Sequence, residues 1–268
     1  MKKAGRLAAA VFAAMLLVTG CGAPAEKKAV ETTPEQSSKI EQKEEAKNLK
    51  DAFKKDFKVG VAINPYQLKD EETKKIILEN FNSITMENGM KPEAILDQRA
   101  SENSKDGMPA INEENLAECL SLAKDNGLVL RGHCLVWHNQ TPEWFFCEKY
   151  DAGNAKVNKE TMKKRMESYI KKVLSFCQEK YPGVVYAWDV VNEACDDGGG
   201  YRTSSLWYEI YGDESYIEDA FTFARKYADK DVKLFYNDYN EYMPSKVSTI
   251  AEPVSYTHLR AHETDSYL

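Results

Sequence analysis

The chain has 268 residues, with 36 Lys or Arg against 43 Asp or Glu, and therefore carries a formal net charge of −7 at pH 7. This acidic balance, and the lack of a basic segment interleaved with aromatic residues, argue against a protein that binds nucleic acid. Aromatic residues make up 11% of the chain, which suits either a large apolar core or a cleft that stacks sugar rings.

The N-terminal 20 residues have the pattern of a bacterial export signal. A positively charged start precedes an apolar segment at 8–18 that is too short to span a bilayer comfortably. The segment ends in VTGC at 18–21, which resembles the lipobox of bacterial lipoproteins and implies cleavage before Cys21 and acylation of its thiol. An ordinary signal peptide with an incidental cysteine is the alternative. We expect an exported protein, held at the bacterial cell surface or envelope by a lipid on Cys21.

Residues 21–50 are predicted to form a spacer between this anchor and a folded domain. They are rich in Glu, Lys, Ala, Ser and Thr and contain no aromatic residue, so they cannot bury enough apolar surface to offset their conformational entropy. We expect a disordered segment, with a helical stalk as the alternative because Glu and Lys also favour helix. The domain itself is predicted over 51–250, a length that suffices for one large core.

From residue 57 onward, short apolar runs alternate with longer helical patterns. The continuous apolar runs, typical of parallel strands covered on both faces, predict strands at 57–63, 82–87, 128–137, 184–193 and 233–238. The helical period, bounded by capping residues such as Asn112 and Asn158, predicts helices over 112–126, 158–180 and 216–229. Strands that alternate with helices indicate an α/β fold with a parallel sheet.

A doubly wound sheet and a (β/α)8 TIM barrel both fit this alternation. Polar residues follow the predicted strands at their carboxyl ends, at Glu87 and Asn88, 133–138, Asn192 and Glu193, and 237–240. Because a barrel gathers these ends into one site, the pattern favours a (β/α)8 barrel, with about its first five βα units present. No glycine-rich loop follows the first strand and the cysteines form no CxxC pair, so we expect neither a cofactor nor a metal site.

Four blocks of the sequence resemble glycoside hydrolase family 10, the retaining endo-1,4-β-xylanases. They are FNSITMENGMKPE (81–93), RGHCLVWHNQTPEWF (131–145), WDVVNEA (188–194) and LFYNDYN (234–240), and they occur in the family's order. The resemblance implies a barrel that is a monomer when complete and acts on xylan or xylo-oligosaccharides. Cys134 stands where the family usually has Thr, and Asn139 where it often has Ser.

The resemblance gives Glu193 the role of general acid/base. Glycoside hydrolysis needs a proton for the leaving oxygen and negative charge near an oxocarbenium-ion-like centre. A carboxyl at the mouth of an apolar barrel suits the proton transfer, whereas a strand-end glutamate outside such a motif is more often a surface ion pair. Asn192 would bind the 2-hydroxyl of the sugar next to the cleaved bond, a contact that strengthens in the transition state.

The same resemblance implies a set of substrate-binding residues, which are Glu87, Asn88, Lys91, His133, Trp137, Gln140, Asn192 and Tyr239. Asp189 would orient His133, and His138 is left open between supporting the site and contacting sugar. The alternatives are ordinary structural roles: a surface pair of Glu87 with Lys91 at i, i+4, a core position for His133 or Trp137, and a turn at Asn192.

The resemblance stops near residue 250. A retaining mechanism needs a second carboxylate about 5–5.5 Å from the first, and in this family it follows the seventh strand, in a block that we do not find here. The last segment, 251–268, resembles a translated sequencing-adaptor read-through, and we assign no metal role to its His258 and His262. We expect the chain as written to be aggregation-prone and to lack useful xylanase activity.

Two other functions fit the same residues. One is a relative that prefers mixed-linkage glucan or aryl cellobiosides, which the predicted binding residues do not exclude. The other is a non-catalytic surface lipoprotein that only binds xylan, against which the intact motif around Glu193 argues.

Overall fold

The computed structural model describes residues 47–251. The predictions for Cys21, for the spacer up to residue 46 and for His258 and His262 concern residues outside this range. Within it, parallel strands form a five-stranded sheet whose strand order follows the sequence. The strands are β1 (Gly60–Ile63), β2 (Ser83–Met86), β3 (Val129–Trp137), β4 (Val185–Asn192) and β5 (Lys233–Asn237).

Helices connect these strands. They are α1 (Leu49–Ala52), α2 (Glu71–Asn80), α3 (Pro92–Ile95), α4 (Gln98–Glu102), α5 (Glu113–Asp125), α6 (Lys159–Lys180), α7 (Leu206–Tyr211) and α8 (Ser215–Tyr227). Short 3-10 helices lie at Pro65–Leu68, Glu143–Phe146 and Glu148–Tyr150, and residues 244–251 are helical. The three predicted helices and the five predicted strands are confirmed. A small antiparallel ribbon, which pairs Leu96–Asp97 with Ala110–Ile111, was not predicted.

The strand order decides between the two α/β architectures. Each strand pairs with the next one along the chain, β1 with β2 and so on to β5, and all four pairings are parallel. A doubly wound sheet reverses its direction at a switch point, whereas a (β/α)8 barrel steps in one direction only. The sheet is therefore part of a (β/α)8 barrel.

The core lies between the sheet and the helices. The apolar stripe predicted for α6 is buried, including Met162, Met166 and Val173, and the Asn158 side chain caps this helix by accepting from the Thr161 N–H at 2.9 Å. β4 is the most buried strand, with seven of its eight residues buried. Within residues 47–251, every helix is too short or too polar to traverse a lipid bilayer.

Candidate active site

The carboxyl ends of β3, β4 and β5 lie side by side. Trp137, Asn192 and Asn237 occupy the same level of the three strands, and the side-chain amides of Asn192 and Asn237 approach to 2.9 Å. Asn192 is 2% exposed, so almost none of its amide is open to a ligand. The parallel register thus brings together residues that are about 50 positions apart in the chain.

Glu193 directly follows β4, in a backbone conformation that is unusual for a side-chain-bearing residue. Its φ is +54°, in the left-handed region that is costly for residues other than glycine. Its N–H donates to the Asn237 carbonyl at 2.8 Å, and its carboxylate Oε2 accepts from Trp137 Nε1 at 3.0 Å. Non-glycine residues held in this region are found preferentially at functional sites, where the surroundings enforce the conformation.

Asp189 is buried beneath this level and binds two side chains of β3. His133 Nδ1 lies 2.8 Å from Asp189 Oδ2, and Arg131 Nε donates to Asp189 Oδ1 at 2.8 Å. This contact fixes the imidazole ring and directs its Nε2 away from Asp189, as the predicted orienting role requires. Arg131 was not among the predicted residues, although its position two before His133 in the strand places both on one face.

A polar cluster follows β2. Lys91 Nζ donates to Gln140 Oε1 at 2.8 Å and to Asn88 Oδ1 at 3.1 Å, and the Gln140 amide donates to Asn88 at 3.2 Å. Glu87 instead accepts from the Asn64 side chain at 2.5 Å. Lys91 therefore binds two other predicted substrate-binding residues, and Glu87 binds Asn64, which sequence reasoning missed.

Two aromatic residues were predicted to contact sugar. Trp137 is 8% exposed, and Lys91 Nζ lies 4.9 Å from its ring centroid, so little of the indole ring is open for stacking on a sugar. Its main contact in the site is the hydrogen bond from the indole N–H to Glu193. Tyr239 is 41% exposed. Lys246 Nζ lies 3.6 Å from the centroid of the Tyr239 ring and so covers one of its faces.

His138 packs behind Glu193. Burial and the positive charge of Arg202 lower the pKa of His138 to about 4, while a hydrogen bond to the Glu193 backbone acts in the opposite direction. The Glu193 carbonyl also accepts from Arg202 Nε at 3.3 Å. These contacts place the His138 ring, neutral at pH 7, against the main chain of Glu193 and favour the supporting role.

This depressed pKa predicts a loss of stability in mild acid. Between pH 6.5 and 4 the unfolded chain takes up a proton on His138 that the folded chain does not, so the free energy of unfolding decreases as pH falls, by up to about 3 kcal/mol. His138→Gln should lose less stability than the parent over this window, as measured by urea unfolding at several pH values. If the free energy of unfolding falls with pH equally in the parent and in His138→Gln, the lowered pKa of His138 is contradicted.

Metal chemistry has no evident site among the described residues, since no three His, Cys, Asp or Glu side chains of residues 47–251 cluster as ligands. The groups available at the strand ends are carboxylates, amides, an imidazole and indole or phenol rings. These groups can transfer a proton and bind sugar hydroxyls.

Comparison with known proteins agrees with this geometry. The chain is 47% identical over 210 residues to endo-1,4-β-xylanase B of Butyrivibrio fibrisolvens, covering 77% of this chain and 33% of that protein. It is 53% identical over 162 residues to a putative endo-1,4-β-xylanase of Caldicellulosiruptor saccharolyticus, covering 60% and 52%. The chain thus spans about a third to about half of the length of these two relatives.

Solved structures give the same result. The endo-1,4-β-D-xylanase 10B modules of Clostridium thermocellum, complexed with xylohexaose, match with a TM-score of 0.73 and 39% identity, over 80% of this chain and 44% of that one. An intracellular xylanase of Thermoanaerobacterium saccharolyticum, complexed with xylotetraose, matches with a TM-score of 0.67 and 32% identity, over 80% and 63%. The family profile for glycosyl hydrolase family 10 matches residues 48–265. The chain belongs to glycosyl hydrolase family 10, whose fold is a (β/α)8 barrel.

Proposed function

We propose that the chain is the acid/base-bearing part of an endo-1,4-β-xylanase that cleaves internal bonds of xylan with retention. The observation that carries this proposal is the position of Glu193, which is held in a left-handed turn at a strand end with one carboxylate oxygen bound to the Trp137 indole. The xylanase relatives, and the xylo-oligosaccharides bound in the matching structures, support xylan as the substrate.

In the proposed reaction Glu193 acts twice. It first protonates the glycosidic oxygen while a carboxylate attacks the anomeric carbon, and it then deprotonates the water that hydrolyses the glycosyl-enzyme. The second carboxylate has to lie about 5–5.5 Å from Glu193. We assign that role to no residue in 47–251, so we expect this chain alone to bind xylo-oligosaccharides without useful turnover.

The binding step gives a direct test. Xylotriose titrated into the purified chain, followed by calorimetry, should bind. Lys91→Met should weaken binding about tenfold, because it removes a charged hydrogen-bond donor from the predicted substrate-binding residues. Lys172→Met is the matched control, since Lys172 on α6 donates to the Pro109 carbonyl and not to a predicted substrate-binding residue. It should change the affinity less than about twofold.

The outcomes separate the proposal from the glucan-preferring alternative and test the role of Glu193. Cellotriose bound more tightly than xylotriose would favour the glucan-preferring alternative, and binding of neither would overturn the proposal. Turnover of an aryl xylobioside that Glu193→Gln abolishes would show that this chain contains a nucleophile and that our expectation of inactivity is wrong. Turnover that survives Glu193→Gln would remove the acid/base role.

We also propose that the protein is exported and acts as a monomer tethered by a lipid on Cys21. The charged start, the apolar segment and the VTGC sequence support this location. Mass spectrometry of the mature N-terminus checks it: an acylated Cys21 is expected, and an unmodified terminus elsewhere would contradict it.

A further inference from the structure

The main chain that leaves Glu193 is bound to one side chain of the LFYNDYN block (234–240) to which the sequence analysis gave no role. The N–H groups of Ala194 and Cys195 both donate to Tyr236 Oη, at 2.9 and 3.1 Å. Tyr236 lies on β5, about 40 residues further along the chain. Two consecutive amides that share one hydroxyl acceptor fix the direction in which the chain leaves the strand end.

The Tyr236 hydroxyl is itself held in one orientation. It donates to Asp238 Oδ2, and the other oxygen of this buried carboxylate lies 2.9 Å from Lys246 Nζ. A hydroxyl has one donor and two acceptor positions, and here Asp238, Ala194 and Cys195 occupy all three. Because the Asp238–Lys246 pair fixes where the proton points, the lone pairs of Tyr236 have to face the two amides.

We propose that Tyr236 is a positioning residue for Glu193: Tyr236 holds the left-handed turn that sets the position of the Glu193 carboxylate at the end of β4. This proposal rests on the proposed acid/base role of Glu193. The turn costs free energy, since φ is +54°, and such a conformation persists only where the surroundings over-determine it. The Asn237 carbonyl and Arg202 bind the polar groups of Glu193 itself, and Tyr236 binds the two amides that follow.

Tyr236→Phe isolates the hydroxyl, because phenylalanine keeps the ring and removes one oxygen atom. The Trp137 indole N–H, which donates to Glu193 Oε2, reports the carboxylate position, and the chain has 4 tryptophans whose indole signals can be followed in ¹⁵N-labelled protein. We expect Tyr236→Phe to speed hydrogen exchange at the Trp137 indole, and at the Ala194 and Cys195 amides, about tenfold, the factor for one lost hydrogen bond.

The matched control is Tyr150→Phe. Tyr150 is also buried, and its hydroxyl donates to the Gly107 carbonyl at 2.8 Å in another part of the fold. This variant should leave exchange at the Trp137 indole unchanged. Equal effects of the two variants there would show that loss of general stability, and not positioning, explains the result, and would overturn the proposal.

A measurement on the parent chain keeps the proposal testable if Tyr236→Phe does not fold. The amides of Ala194 and Cys195 belong to a loop, yet they should exchange about a hundredfold more slowly than free peptide because Tyr236 binds them. Unprotected amides would overturn the proposal. None of these exchange measurements depends on turnover. A hydrolysis assay that contradicts the acid/base role of Glu193 can therefore be distinguished from a failure of the positioning role of Tyr236.

Discussion

Replacing Gly132 with alanine is expected to destabilise the fold by about 3 kcal/mol or more. Gly132 lies in the middle of β3, and a Cβ atom there would come within 2.3 Å of Trp188 Cε3 and 2.5 Å of Trp188 Cδ2. The Trp188 ring is 1% exposed and belongs to the core, so it has no free space into which to move. The strands would have to separate, directly beside the contact of His133 with Asp189.

Urea unfolding followed by near-ultraviolet circular dichroism measures this effect. Gly60→Ala on β1 is the control, because its nearest neighbour would be the Ser83 carbonyl at 3.5 Å, an ordinary contact. We expect the control to change the free energy of unfolding by less than about 1 kcal/mol. A Gly132→Ala chain as stable as this control would show that Trp188 does not lie against β3 in solution.

The sequence predicted the strands well because each one is a continuous apolar run. The run at 128–137 gave β3 at Val129–Trp137, within one residue. The run at 57–63 gave β1 less accurately, since the strand begins only at Gly60. The ladder with β2 starts where Gly60 meets Ser83, and the position of that partner cannot be read from the apolar pattern of β1.

The candidate site was predictable only where a motif carried it. His133 and Asp189 were paired through the resemblance, and the structure places them in contact. Arg202 and Tyr236, which bind the main chain around Glu193, were not predicted. Their partners lie far along the chain or on the backbone, and neither spacing nor hydrophobic period specifies which side chain reaches a main-chain N–H or carbonyl.

These missed residues share a function that differs from that of the predicted ones. Most of the predicted groups are side chains at the strand ends that would contact sugar, whereas Arg202 and Tyr236 bind the main chain around Glu193 and Asp238 binds Tyr236. Tyr236 and Asp238 belong to the LFYNDYN block, but the block does not specify which groups their side chains bind. The groups that hold the catalytic turn in place become visible only when hydrogen bonds are traced outward from Glu193.

The buried ion pair between Lys246 and Asp238 should tolerate the loss of one partner poorly. Lys246→Met is expected to cost about 3–5 kcal/mol of stability, because it leaves Asp238 as a buried carboxylate without its cation. The Lys246 and Asp238 side chains are both 0% exposed and 2.9 Å apart. The double variant Lys246→Met with Asp238→Asn should be clearly more stable than Lys246→Met alone, since it removes the uncompensated charge as well.

A double-mutant cycle from urea unfolding tests this, with Lys163→Met as the control. Lys163 pairs with Asp219 at 2.6 Å, but its side chain is 49% exposed, and an exposed pair contributes only about 0–1 kcal/mol. If Lys246→Met costs no more than Lys163→Met, or if Asp238→Asn fails to restore stability in its presence, the pair does not hold a buried charge. The proton of Tyr236 would then not be directed by Lys246 through Asp238, and Tyr236 would contribute only its contacts with the Ala194 and Cys195 amides.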